Sequence, residues 1–367
     1  MFRELLDQVR VEGHIDVGEE PLLRDTLPVI YNGEADSKSL GAVKYHNSGG
    51  RSILFERGGE VYRIKGVDPF GRLTERVANS EKNRIDNVSH ADLIVKAQTA
   101  REGGALMFDR DKPFGPFFLE QAECEGNAFR ALAKTYQHLG IQNPCEFLFH
   151  KDSGVEAQGR RTYQTAFRLP SLEADFRTHE WNSLLTERLD QCSPDEIAEK
   201  SRNISRLYGR FIYWTGVNTA ILSASGLIPE ATSFVPQNWV INRYKDGYGI
   251  FRVDHTSTKA DDPRDAFQAL TRDKDIAVRI ANEFSVYASR VQAAADPAAF
   301  LRETERDRRF SQILFMREGN WLKEGVRLDE TRLLAAHENV FGMGLTSVLN
   351  GLPIAPIPGE MFREALA

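Results

Sequence analysis

Between residues 39 and 67 the chain alternates short apolar runs with polar breaks, and glycines punctuate the series. Ala42 to Tyr45 is followed by HNSGGRS, Ile53 to Glu56 by Arg57-Gly58-Gly59, and Val61 to Val67 completes it. Gly58-Gly59 supplies the positive φ angles that a two-residue hairpin needs. The pattern predicts a three-stranded antiparallel meander with a glycine turn at Gly49-Gly50 and a tight hairpin after Arg57.

The rest of the chain divides around that meander. An amphipathic segment precedes it, and residues 68 to 116 are polar and turn-rich, an insertion expected to carry at most short helices. From Phe117 to Leu139 the apolar residues Phe118, Ala122, Phe129, Leu132, Ala133, Tyr136 and Leu139 recur at helical spacing, with Gly140 where a C-terminal cap belongs. Two strands are expected at Cys145 to His150 and Arg161 to Arg168, separated by the turn-like KDSGVEAQG, and Pro170 ends the strand-rich part. Beyond it the chain reads as helical. Ser193-Pro194-Asp195-Glu196 has the form of a helix start, leading into a long helix through Trp214. One hairpin interrupts the helices, NWVI then NRYKDGYG then IFRVD, and residues 260 to 367 read as further helices. The expected class is α+β, with residues 1–169 forming an antiparallel sheet plus one helix and residues 170–367 a mainly helical domain that carries the hairpin.

Charge and cysteine usage limit what such a chain can bind. A formal net charge of -6 over 367 residues argues against broad electrostatic capture of nucleic acid or anionic lipid, so any phosphate site has to be local. Cys124, Cys145 and Cys192 include no close pair, which suggests neither a disulfide framework nor a zinc knuckle and predicts a reducing, cytoplasmic setting. The N-terminal residues lack the continuous apolar stretch of a signal peptide. The longest apolar run, Phe211 to Ala224, is interrupted by Thr215, Gly216, Asn218 and Thr219 and reads as a buried helix, so no membrane partner is expected.

Several residues have the chemistry of an anion and metal site. Glycines at 49 and 50 let backbone amides approach an anion, with Arg51 and Ser52 next in the chain. Lys65 ends the strand VYRIK, where alternation puts it on the face of Val61 and Arg63. Glu125 lies on the following helix, with apolar Phe129 and Leu132 at +4 and +7; Glu120 and Glu123 are its rivals on the same helix. Taken singly, these are an ordinary turn, a solvated lysine and a surface carboxylate; their order along the chain is what points to phosphate binding. Asn238 opens NWVI and Asp254 closes IFRVD, so an amide oxygen and a carboxylate converge at the open end of one hairpin as hard ligands for magnesium. An asparagine before a strand and a capping aspartate would give the same pattern.

This succession, from the glycine turn through Lys65, Glu125, a hinge near Leu169 to Asp175, a long helix, Asn238 and Asp254, resembles the protein-kinase-like superfamily over roughly residues 39 to 258. That superfamily includes small-molecule phosphotransferases and the AMP-transferring selenoprotein-O-like branch. The resemblance implies a two-lobed fold that binds ATP and magnesium in a cleft. It assigns the α/β-phosphates to Lys65, the orientation of that lysine to Glu125, the remaining phosphate contacts to Gly49, Gly50, Arg51 and Ser52, and the metal to Asn238 and Asp254.

The chain also departs from the family's pattern. Kinases carry a catalytic aspartate five positions before the metal-binding asparagine, and here that position is Ser233. The Asp-Phe-Gly motif is Asp254-His255-Thr256, and the glycine turn lacks the full G-x-G-x-x-G spacing. Glu230 as a base, or His255 as a group contacting phosphate or acceptor, are candidate substitutes. Arg51 or Arg63 could clamp phosphate, although a cross-strand partner such as Glu60 explains either arginine as well. The chain contains no His-Glu-x-x-His, G-x-S-x-G or Walker A motif, and RIKGVDPFG only faintly resembles a nucleotidyltransferase lysine motif. Two functions are therefore expected. One is an ATP- and magnesium-dependent transferase moving a phosphoryl or adenylyl group to a protein or small-molecule acceptor. The other is a pseudokinase, a nucleotide-responsive module that binds a protein partner.

Overall fold

A computed structural model describes residues 2–9, 12–17, 26–30, 40–47, 52–66, 76–77, 108–109, 117–157, 159–178, 180–181, 184–185, 188, 194–229, 238–272 and 330–367. The chain is α+β and divides into two compact units. One comprises Met1–Ala133, Asn143–Phe176 and His255–Ser257; the other comprises Lys134–Gln142, Arg177–Asp254 and Thr258–Ala367.

The first unit opens with helix α1 (Phe2–Val9), strand β1 (Glu12–Asp16) and the short helix α2 (Thr26–Ile30). The meander follows as β2 (Ala42–Asn47), β3 (Ser52–Arg57) and β4 (Glu60–Lys65). Its hairpin turns on Gly58 and Gly59 at φ 60° and 84°, a backbone region closed to most side chains. From the insertion, only the strand pair β5 (Arg76–Val77) and β6 (Phe108–Asp109) is described, and it is antiparallel. Helix α3 (Leu119–His138), of which Leu119 to Ala133 belong to this unit, precedes the long strands β7 (Glu146–Ala157) and β8 (Arg160–Leu169).

These strands form one antiparallel sheet in the order β1-β2-β3-β4-β8-β7. The segment before the meander therefore contributes an edge strand as well as a helix. KDSGVEA, read as a turn, continues β7 instead, with register shifts between Phe147 and Phe149 and between Asp152 and Glu156. Such shifts absorb the polar residues while cross-strand hydrogen bonding resumes beyond them. Strand alternation divides β4 between the two faces of the sheet. Tyr62 and Ile64 join Val43, Tyr45, Ile53 and Phe55 in an apolar core with Leu27 and Ile30 of α2, which leaves Arg63 and Lys65 on the other face.

The second unit is organised on α4 (Pro194–Ala224), a helix of 31 residues that begins at the expected proline and runs well beyond Trp214. Every residue from Phe211 to Ser223 is buried. The polar residues of that run are hydrogen-bonded: Thr215, Thr219 and Ser223 donate to the carbonyls of Ile212, Thr215 and Thr219 on the same helix, while Asn218 donates to the carbonyls of Trp214 and, across to the hairpin that follows, Ile250. Strand β9 (Leu227–Pro229) follows, then a hairpin of β10 (Trp239–Tyr244) and β11 (Gly247–Arg252). The hairpin is longer and its turn tighter than NRYKDGYG suggested, because only Lys245 and Asp246 remain outside the strands, with Lys245 at φ 52°. Strand β12 (Thr258–Ala260) pairs antiparallel with β9 and leads into α5 (Pro263–Arg272). Helices α6 (Glu330–Leu349) and α7 (Gly359–Leu366) complete the unit.

Helix α6 packs on α4 through glycine. A Cβ at Gly216 would lie 2.1 Å from the Phe341 carbonyl oxygen, and one at Gly344 would lie 1.9 Å from that of Tyr213. Among the described residues no helix is long and apolar enough to cross a membrane.

Candidate functional site

Lys65 ends β4 at a central position of the sheet, opposite Ser52 of β3 and Thr165 of β8. Its ammonium is ion-paired with the Glu125 carboxylate of α3 and stands 5.9 Å from the Phe167 ring centroid. Both charges are withdrawn from water, Lys65 at 6% exposure and Glu125 at 0%. A buried carboxylate is tolerated where a cation meets it, so helix phase and charge together select Glu125 from its rivals. Ala122, Glu125, Phe129 and Leu132 share the buried side of α3, whereas Glu120 pairs with Arg160 at the surface and Glu123 is exposed.

A second buried ion pair stands on the same face, two residues back along β4. Arg63 Nη1 donates to Asp175 Oδ1 at 2.7 Å, Nη2 donates to Cys145 Sγ at 3.3 Å, and the guanidinium lies 5.0 Å from the same Phe167 ring. Arg63, Cys145 and Asp175 are all 0% exposed. Arg63 is thus committed inside the unit, neither clamping an anion at the surface nor paired with Glu60, which meets Arg168 and Tyr62 instead. Burial alone would push the Arg63 guanidinium down, but Cys145, Asp175 and Glu125 outweigh it and hold it above its ordinary value. Burial also raises the Cys145 thiol, to about 11. Sequence reading missed Asp175 and Cys145; the available signal was an aspartate in the 3₁₀ turn Leu172–Asp175 beside buried Leu172 and Ala174.

In the second unit Asn238 and Asp254 flank the open end of the β10–β11 hairpin. The Asn238 carbonyl accepts the Val253 amide at 3.0 Å, which extends the ladder by one rung and leaves Asp254 next in the chain. Asn238 is 8% exposed and Asp254 half-buried. Arg252, also missed in the sequence, is buried opposite Trp239; burial lowers its guanidinium to about 10, and the Asp254 charge works against that fall.

No family model, curated protein or solved structure matches this chain. The assignment of a site therefore rests on donor chemistry. Among the described residues no group of three or more histidine, cysteine, aspartate or glutamate side chains gathers as a metal cage. An amide oxygen and one carboxylate nevertheless fit magnesium, which takes few protein ligands and completes its shell with water and phosphate oxygens.

The remaining candidates divide simply. Ser52 is buried on β3, while Gly49, Gly50, Arg51, Glu230 and Ser233 lie outside the described residues. His255 is 0% exposed, its ring meets Phe129 edge-on at 5.0 Å between centroids, and its carbonyl accepts the Cys124 thiol at 3.2 Å. This is the setting of a packed ring rather than of a phosphate contact at a wet surface.

Proposed function

We propose that the chain is an ATP- and magnesium-dependent transferase of protein-kinase-like fold, moving a phosphoryl or adenylyl group to a protein or small-molecule acceptor. The observation that supports it best is the buried pair of Lys65, on the third strand of a glycine-turned meander, and Glu125, on the helix that follows. Kinases use that strand lysine and helix glutamate to fix the nucleotide phosphates. In this reading Glu125 holds the Lys65 ammonium toward the α/β-phosphates, and Gly49, Gly50, Arg51 and Ser52 supply further donors. Asn238 and Asp254 hold magnesium, whose charge offsets that building on the transferred group. Ser233 offers no carboxylate to take the acceptor's proton, so the catalysis assigned to this chain is positioning and charge neutralisation.

Ser233 also favours a second reading: a pseudokinase, in which nucleotide binding alone changes how the chain engages a protein partner. One experiment separates the two. The protein is incubated with magnesium and ATP labelled at the α or the γ phosphate, alone and with cell extract. Label arriving from γ identifies a kinase and from α an AMP transferase. A thermal shift by ATP that Asp254→Ala removes, with no label transferred, identifies the binding module. No response to nucleotide in any form rejects both.

A further inference from the structure

Among the described residues of the first unit, four buried charges form two ion pairs beside one aromatic ring. Lys65 is paired with Glu125 and Arg63 with Asp175, and both cations stand over Phe167, at 5.9 and 5.0 Å from its centroid. Glu125 is not indifferent to Arg63: its charge contributes to the field that keeps the guanidinium protonated. Two buried cations thus share two carboxylates, and something has to decide which takes which.

We infer that Asp175 is a positioning residue: by occupying Arg63 it reserves the Glu125 carboxylate for Lys65. This rests on the proposed role of Lys65 as the phosphate-holding lysine. Arg63 is fully buried, and among the described residues its guanidinium also meets the Cys145 sulfur and the Phe167 ring. The Cys145 thiol, raised to about 11 by burial, is uncharged near neutral pH and the ring has no net charge, so neither supplies the full negative charge that a dehydrated guanidinium needs. Without the Asp175 charge, the Glu125 carboxylate still acts on Arg63. A guanidinium also presents a rigid five-donor fork that takes a carboxylate in two parallel hydrogen bonds, an advantage over the single ammonium of lysine. Arg63 would draw Glu125 away, and Lys65 would lose its orientation although neither Lys65 nor Glu125 had been altered.

The arrangement has a second consequence. Asp175 is the penultimate residue of the segment Asn143–Phe176, after which the chain passes into the other unit. The residue that sets the partner of Lys65 therefore lies one residue before the chain leaves this unit.

The test reads Lys65 directly and needs no nucleotide. The full chain is treated with a limiting amount of a water-soluble acetylating reagent, and acylation of Lys65 is quantified by peptide mass spectrometry, with circular dichroism confirming the fold. Glu125→Gln should raise the Lys65 rate about tenfold, since the ammonium loses a charge-assisted hydrogen bond. Asp175→Asn should reproduce that rise. The double variant Arg63→Met/Asp175→Asn, which removes the competitor, should return the rate to within about twofold of the parent. A merely structural Asp175 predicts no such rescue. A Lys65 rate in Asp175→Asn equal to the parent, or a double variant as reactive as Glu125→Gln, overturns the inference. If Asp175→Asn alone does not fold, recovery of the fold in the double variant together with a slow Lys65 supports the inference, and a fast Lys65 in that variant overturns it. The acylation pattern without any thermal shift by MgATP would reject the nucleotide reading and leave the role of Asp175 standing. A MgATP shift with a flat pattern would do the reverse.

Discussion

The Cys124 thiol donates to the carbonyl of His255 at 3.2 Å, which places a residue 131 positions further along the chain against the helix that carries Glu125. The His255 ring is fully buried edge-on to Phe129, so aromatic packing helps to hold it. His255→Phe keeps an aromatic ring there but enlarges it in a closed site, so it should cost about 1–3 kcal/mol of stability while leaving any MgATP shift nearly unchanged. A loss of nucleotide response in a folded His255→Phe chain would return His255 to the list of phosphate contacts.

Removing one member of the Lys65–Glu125 pair leaves the other charge buried. Lys65→Met is expected to cost about 3–5 kcal/mol and to abolish the MgATP response, whereas Lys65→Met/Glu125→Leu should be considerably more stable than the sum of its single changes. Urea titration of the parent, the two single variants and the double measures the coupling. Additive single changes would mean that the two charges do not support one another.

Cys145 gives the protein an alkaline limit. Its thiol ordinarily titrates near 9.0 and burial raises it to about 11 in the folded chain, so the folded state holds this proton more tightly than the unfolded state. The associated stability is fully present below about pH 9 and falls as pH rises toward about 11, by at most about 1.4 kcal/mol per pH unit. Denaturant midpoints measured across that window should decline less steeply for Cys145→Ala than for the parent. Equal slopes would show that the thiol stays protonated in both states.

At the α4–α6 crossing a new methyl group has only backbone to meet. Gly216→Ala and Gly344→Ala should each destabilise by about 1–3 kcal/mol or force the helices apart, because the facing carbonyls at 2.1 and 1.9 Å belong to helical backbone. Thermal midpoints decide it, with Gly342→Ala as control, since a Cβ there meets nothing within 4 Å.

Regular spacing made much of the first unit legible. The paired glycines, the alternation through VYRIK and the helical recurrence from Phe117 encode choices made within a few residues, and β3, β4 and α3 form where those signals stand. The order of Lys65 and Glu125 was readable for the same reason. The polar interruptions in the Phe211 run pointed correctly to a buried helix, since serine and threonine can return their hydroxyls to the preceding turn.

Tertiary structure alone decided the rest. No local signal could pair Arg63 with Asp175, 112 residues away; helix phase pointed to Glu125 over Glu120 and Glu123, but only the complete fold delivers the opposite charge that makes its burial tolerable. The edge strand Glu12–Asp16 and the continuation of β7 through KDSGVEA likewise came from neighbours that satisfy otherwise unremarkable backbone. Side-chain periodicity is a property of a few consecutive residues. Burial and charge partnership belong to the whole packed chain, and they determine what surrounds Lys65.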